Sequence, residues 1–352
     1  MVTLVTGGAG FIGSHVVDEL ADAGTHVRVL DVLHPGAHAD LPDYIRDDVE
    51  YVWGDARDPD VVERALHGVD AVSHQAAMVG LGTDFADVTD YVSHNDIGTA
   101  TLLRTMHHVG FRGRLVLASS MVVYGEGRYE CATHGVVAPA ARLRVRLEAG
   151  DFEVRCPRCD GPLASRAVPE GAVLDPRNVY AATKLHQEHL CAAFGREHAL
   201  PVTALRYHNV YGPRMPAATP YAGVASIFRS ALEAGAAPRV FEDGRQLRDF
   251  VHVDDIARAN VAALTVDVAF DGPVNIASGH PSSILEMAQT VSAAFGSTAD
   301  EPTVTGAFRL GDVRHVYAAT DRAKTALGFV ASIHPRDGLR QFAYDPLRAP
   351  VR

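Results

Sequence analysis

Val2-Thr3-Leu4-Val5-Thr6-Gly7-Gly8-Ala9-Gly10-Phe11-Ile12-Gly13 runs from a β-branched strand through a glycine turn into a helical pattern that continues to Ala23. Each glycine has its own physical use. Gly7 permits the tight turn, Gly10 lets backbone N–H groups approach a pyrophosphate at the helix N-terminus, and Gly13 lets the helix lie close on the strand. A glycine loop cradles phosphate in this way between a strand and a helix, which is where this one stands. The second strand, Val27 to Val32, carries Asp31, 18 positions after Gly13. A carboxylate there can accept both hydroxyls of an adenosine ribose and would repel a 2′-phosphate, so the pattern predicts NAD rather than NADP. Arg28 lies inside the strand, and Val32 and Leu33 follow Asp31, so no adjacent base reverses that preference.

Outward from this stretch, short β-branched runs (Glu50 to Trp53, Ala71 to His74) alternate with helical ones (Val61 to Leu66). Further strands are expected at Arg114 to Ala118, Val202 to Tyr207 and Val274 to Ile276, with helices near Tyr91 to His108 and Val179 to Glu197. Such alternation predicts an α/β fold, a doubly wound parallel Rossmann sheet covered on both faces. The Pro-rich stretch Gly212 to Pro220 leaves the sheet. The expected division is therefore 1–210 with 244–275 for the dinucleotide-binding domain, and 211–243 with 276–352 for a smaller substrate-binding domain.

At 352 residues, 47% hydrophobic and 21% charged, the chain has enough material for two packed domains and no disordered or fibrous bias. A net charge of −11 disfavours nucleic acid and anionic membrane as partners. No apolar run reaches membrane-spanning length, and no basic leader precedes the first strand, which predicts a cytoplasmic protein.

Tyr180 and Lys184 stand one helical turn apart on the same helix face. A tyrosine can remove a proton from a secondary alcohol if its phenol is acidified, and the lysine ammonium supplies a positive charge for that. Ser120, at the end of a strand, can hydrogen-bond the same hydroxyl. Together with the glycine loop and Asp31, these three are the candidate catalytic set.

The chain resembles the extended short-chain dehydrogenase/reductases of the nucleotide-sugar epimerase/dehydratase family. The resemblance is carried by the Thr6 to Gly13 loop, Gly54-Asp55-Ala56-Arg57-Asp58, His74-Gln75-Ala76-Ala77, Asn95 to Thr99, Ser119 to Gly125, Tyr180 to Lys184, Arg206 to Arg214, Arg248 to Asp255 and Arg309 to Asp312, in order along nearly the whole chain. It implies that Phe11, Ile12, Ala56 and Asn95 join Gly7, Gly10, Gly13 and Asp31 around NAD, with Asp55 at the adenine, Ala76 and Ala77 near the pyrophosphate, and His208 over the nicotinamide beside Tyr180 and Lys184. Asn209, Arg248 and Arg309 would hold the substrate diphosphate, Arg214 would join the substrate site with Ser120 and Tyr180, and the helices near Tyr91 to His108 and Val179 to Glu197 would form a homodimer. Val316, set by its distance from Arg309 at the family's gate beside the sugar, is not bulky and leaves room for a substituted hexose. Related dehydratases and decarboxylases place carboxylates just after the catalytic hydroxyl, and this chain has Met121 and Val122 there. Elimination then lacks its acid and base, whereas removal and return of a hydride lacks nothing. The expected activity is inversion of C4 of a nucleotide-diphosphate sugar through a transient 4-keto intermediate. A dehydratase, a ketoreductase and a non-enzymatic dinucleotide sensor are the competing readings.

Ser120 and Tyr180 are 60 positions apart, more than the resemblance accounts for, which places an insertion at about 126–172. It contains Cys131-x2-His134 and, after 21 intervening residues, Cys156-Pro157-Arg158-Cys159. Three thiolates and one imidazole meet the needs of a closed structural Zn²⁺ site, against a redox C-x-x-C or unrelated thiols as alternatives. With seven basic and seven acidic residues the insert is neutral, unlike a DNA-reading finger. Cys191 is expected to be an apolar filler.

Overall fold

The computed structural model describes residues 1–80, 85–217, 223–296 and 301–348. Pro220 and the last residues of the expected smaller domain lie outside the described residues. From the N-terminus come β1 (Val2–Thr6), α1 (Phe11–Asp22), β2 (His26–Asp31), β3 (Glu50–Trp53), α2 (Pro59–Leu66), β4 (Ala71–His74), α3 (Val88–Tyr91), α4 (Gly98–His108) and β5 (Arg114–Ser120). The insert follows with β6 (Arg128–Cys131), β7 (Gly135–Val137), α5 (Arg144–Glu148) and β8 (Ala164–Arg166). Next are α6 (Val179–His198), β9 (Val202–Tyr207), β10 (Asn209–Tyr211), α7 (Val224–Glu233), β11 (Arg239–Val240), β12 (Leu247–His252), α8 (Val253–Thr265) and β13 (Gly272–Ile276). The chain continues through β14 (Pro281–Ser283), α9 (Ile284–Phe295), β15 (Thr303–Val304), α10 (Asp321–Leu327) and α11 (Pro335–Phe342).

Seven strands form one parallel sheet in the order β13-β9-β5-β4-β1-β2-β3. Alternate residues of each strand point to opposite faces, and both faces are covered. Val5, Val29, Val116 and Leu205 meet α1, α8 and α10 through Val16, Leu20, Ile256 and Leu327. Leu4, Leu30, Leu115 and Leu117 meet α2, α4 and α6 through Val62, Leu102, Met106 and Phe194, with Cys191 fully buried among them. The chain leaves β1 for β2 and β3 on one side and β4 and β5 on the other, which opens a crevice at the carboxyl ends of these strands.

A second, smaller core gathers Tyr211, Phe228, Leu232, Phe250, Met287 and Phe342 beneath the three-stranded sheet β10-β12-β14. The segment from 276 onward is shared between the cores, because α10 packs Ala323 and Leu327 onto the large sheet while α9 and α11 join the small one. The insert forms its own antiparallel sheet, β7-β6-β8.

Local signals set the helices that frame the crevice. Asp58 caps α2 by accepting from the amides of Asp60 and Val61, with Pro59 in the first turn. Asn178 caps α6 through its Oδ1, 2.8 Å from the Ala181 amide, and so fixes where Tyr180 leaves the helix start. Between α3 and α4 a π-helical turn, Val92–Ile97, turns Asn95 inward, where it is fully buried.

Candidate active site

At the carboxyl end of β1, Gly7 has φ +70° and a Cβ there would lie 2.7 Å from the Ala76 nitrogen, while one at Gly13 would lie 2.1 Å from the Gly7 oxygen. Neither position admits a side chain. α1 starts at Phe11 and Ile12 with no side-chain cap after Gly10 and no acidic residue in its first turn, so its N-terminal field is left for an anion from outside. Asp31 closes the other side: its Oδ2 accepts from the Ala9 amide at 2.9 Å and its Oδ1 from Leu33 at 2.8 Å. A glycine cradle, an uncapped helix and a fixed carboxylate fit a dinucleotide.

The loop after β4 faces this cradle, with the Ala76 amide 3.2 Å from Thr6 Oγ1 and Ala77 next to it. Asn95 works through that loop: its Oδ1 accepts from the Met78 amide at 2.7 Å and its Nδ2 donates to Met78 O and to Thr183 Oγ1, both at 3.0 Å. It braces the loop against α6. Asp55, beside Ala56, is held by the Arg57 guanidinium at 2.6 Å, which keeps its carboxyl below the usual range. His208 is buried, and that burial pushes its imidazole down to about 3.

Ser120 ends β5 and Tyr180 opens α6, and the Ser120 side chain comes within hydrogen-bonding reach of the Tyr180 phenol. Burial pushes the phenol above its ordinary range while the Ser120 bond pulls it down. Lys184 Nζ donates to Ala118 O at 2.9 Å and lies 6.0 Å from the Tyr180 ring centre; burial lowers its ammonium to about 8.

Under this trio lies a buried network that the motifs did not announce. Glu188 is bonded to Ser119 Oγ and paired with Arg206 at 2.7 Å, and Arg206 donates to the Tyr124 hydroxyl at 3.0 Å. Glu188 stands one turn beyond Lys184 on α6, and that inward polar spacing was the available signal.

The substrate residues are not all brought together. Arg309 is exposed, stacks at 5.0 Å on Phe241, and lines a recess with Glu126, Arg142, Arg177 and Asp312. Asn209, on β10, has a buried Oδ1 without a partner among the described residues. Arg248 is half-buried and spends its guanidinium on the carbonyls of Leu247, Arg314 and Val313 at 2.6–2.9 Å. Arg214 departs furthest from its expected place: it pairs with Asp18 of α1 at 2.7 Å and stacks 4.5 Å over Tyr44. Its strained φ of +63° and the bond from its amide to Pro346 O at 2.8 Å fix it there. Val316 is buried among Val123, Tyr124 and Val168.

In the insert, ligand atoms of Cys131, His134, Cys156 and Cys159 all lie within 4.8 Å of one another. The Cys131 and Cys159 sulfurs are 3.8 Å apart, and His134 Nδ1 is 3.5 Å from the sulfurs of both Cys131 and Cys156. Usual zinc bond lengths set in a tetrahedron give edges of roughly 3.8 Å between sulfurs and 3.5 Å between sulfur and nitrogen.

Residues 3–139 and 158–277 match the model of the NAD dependent epimerase/dehydratase family. The chain belongs to that family. Its relatives include a dTDP-L-rhamnose 4-epimerase of Burkholderia thailandensis, 36% identical over 93% of this chain and 89% of the relative. A UDP-N-acetyl-alpha-D-glucosaminuronate decarboxylase of Bacillus cytotoxicus is 29% identical over 82% of this chain and 78% of its own. Among solved structures, the UDP-glucuronic acid 4-epimerase of Bacillus cereus, in complex with UDP-glucuronic acid and NAD, superposes with a TM-score of 0.76 at 26% identity, covering 97% of this chain and 99% of that one. The gap between the two matched blocks, 140–157, is the middle of the insert and contains Arg142, Leu147, Glu153 and Cys156. Among the described residues, no helix of this family member is long and apolar enough to cross a membrane.

Proposed function

We propose that the protein is an NAD-dependent 4-epimerase of a nucleotide-diphosphate sugar. The observation that carries this reading is the Ser120–Tyr180–Lys184 trio beside the glycine cradle, followed by Met121 and Val122 where a second-step acid or base would have to stand. Met121 instead packs with Val123, Tyr124 and Val316. NAD would be held by the α1 start, Asp31 and the loop at Ala76, and when bound it accepts and returns the hydride. As a phenolate, which the positive charges of Lys184 one turn below and of bound NAD⁺ would favour against burial, Tyr180 takes the proton of the C4 hydroxyl and gives it back, while Ser120 orients that hydroxyl. The sugar turns between the two steps while its diphosphate stays anchored. The relatives that act on rhamnose and glucuronic acid nucleotides support the class.

The test is incubation with UDP- and dTDP-hexoses deuterated at C4. The expected product has the mass of the substrate, retains the deuterium and forms without added NADH. Loss of 18 or 44 mass units would show dehydration or decarboxylation and overturn the reading.

A structural Zn²⁺ on Cys131, His134, Cys156 and Cys159 belongs to the same proposal. Four protein donors at tetrahedral spacing leave no open position for a substrate, and the small apolar core of the insert supports a need for metal ordering. Elemental analysis of protein purified without chelator should find one zinc per chain, and its absence would sink this part. A homodimer through α4 and α6 and the π-helical turn is supported by exposed Val92 and Ile97, and light scattering tests it.

A further inference from the structure

The recess beside the insert carries more positive charge than Arg309 alone supplies. It is lined by Arg142, Arg177, Arg309, Leu147, Glu126 and Asp312. Arg142 and Leu147 come from the stretch outside the family match, and Arg177 stands on the stem that returns from the insert, three residues before Tyr180.

These charges are not equivalent. Arg142 is spent within the protein: it pairs with Glu242 at 2.8 Å and donates to Asp312 O at 2.7 Å and to Phe152 O at 3.1 Å. Glu126 is spent as well, with Oε2 accepting from the Arg314 amide at 2.8 Å and Oε1 lying 3.8 Å from Arg142. Arg309 stacks on Phe241 by its face and keeps its N–H edge for something else. Arg177 uses one terminal nitrogen, Nη2, on the exposed Asp175 at 2.6 Å and on Pro139 O at 3.5 Å, while its Nη1 has no acceptor among the described residues and its side chain, 23% exposed, lines the recess. Two partly exposed guanidiniums lining one recess suit an anionic oxygen, which accepts charge-assisted hydrogen bonds from both.

We infer that Arg177 is an additional anion-binding residue that, with Arg309, takes the diphosphate of the nucleotide sugar in this insert-walled recess. The inference rests on the nucleotide-sugar reading above. The insert then has a physical use at the site: Arg142 holds the carbonyl of Asp312 and thereby the segment that carries Arg309.

The experiment is calorimetric titration of the NAD-loaded protein with UDP and with dTDP, beside steady-state kinetics with UDP-glucose and UDP-glucuronic acid. Arg177→Gln should weaken binding of the better nucleotide about tenfold, the size expected for one lost charge-assisted hydrogen bond, and raise KM alike for both sugars while kcat changes little. Arg177→Lys should recover part of the affinity, since it keeps the charge and loses the fork. Unchanged nucleotide binding in Arg177→Gln would overturn the inference, as would a loss confined to UDP-glucuronic acid, which would make Arg177 a sugar carboxylate ligand. The nucleotide titrations need no turnover. Wild-type protein that binds UDP or dTDP yet inverts no hexose would therefore sink the epimerase reading and leave this one standing.

Discussion

The seven-stranded sheet and the insert meet at one cleft, but different forces hold them. The sheet rests on two broad apolar clusters of valine, leucine and alanine, whereas the insert's own cluster is Cys131, Val137 and Cys156 with Leu163 packed against them. The insert is fastened by charge instead. Arg314, fully buried, is paired with Glu242 at 2.9 Å, Asp243 at 2.7 Å and Glu153 at 2.6 Å, so that the insert's Glu153 and the substrate side's Glu242 share one guanidinium. Hydrophobic burial is non-directional and tolerates small changes, while a buried charge depends on each partner being present. One half of the cleft is therefore robust and the other is conditional.

The largest expected effect tests whether chemistry belongs to the robust half. Tyr180→Phe should lower turnover about 10²- to 10⁴-fold, with NAD content, zinc content and melting unchanged. Full activity in that variant would take catalysis away from the sheet edge. Next in size, Arg314→Leu strips Glu242, 2% exposed, of one of its two guanidiniums and leaves Arg142 as the other, and should cost about 3 kcal/mol. Hydrogen exchange should then rise across 140–157 while β1 and β4 stay protected, and a uniform rise over the sheet would break the comparison.

The sheet has one conditional element of its own. His74 is buried between Thr6 Oγ1 at 2.7 Å and Thr99 Oγ1 at 3.0 Å, and its imidazole is pushed down to about 3 by burial. A histidine whose folded pKa lies below its unfolded value of about 6.5 binds fewer protons when folded. Its contribution is full above that pH and is lost as pH falls toward 3, by up to about 1.4 kcal/mol per unit. Urea midpoints between pH 6.5 and 3 should fall less steeply in His74→Gln, and an identical slope would remove His74 as the cause. Smallest of all, Arg166→Ala deletes the exposed pair with Glu130, where both side chains are more than two-fifths exposed, and should change stability by less than about 1 kcal/mol. A larger loss would mean that the insert draws on its surface charges as well.

The strands of the sheet could be read in the sequence to within two residues because each is a short apolar run between turns, and burial on both faces demands that pattern. β3, β4 and β9 begin and end where the runs do. The π-helical turn at Val92–Ile97 had no such signal, since one extra residue in a helical turn leaves the apolar spacing nearly unchanged. The clustering of Cys131, His134, Cys156 and Cys159 in the insert was visible for a related reason: the short spacings Cys-x2-His and Cys-x2-Cys stand out along the chain. The ionic fastening was not visible, because Arg142, Glu153, Glu242 and Arg314 are far apart in the chain and each alone looks like a surface charge.

Local sequence thus determined what depends on neighbours within a turn or a strand: the glycine cradle, the Asp31 carboxylate, the Tyr180/Lys184 spacing and the two short Cys/His knuckles. Tertiary structure alone decided which of the many arginines has a free donor. Arg214 and Arg248 share motifs with substrate ligands yet are consumed by Asp18, Tyr44 and backbone carbonyls, while Arg177, outside every motif, lines the recess with its Nη1 lacking an acceptor among the described residues. A guanidinium has five donors, and what is left over for a ligand depends on acceptors brought to it from hundreds of residues away.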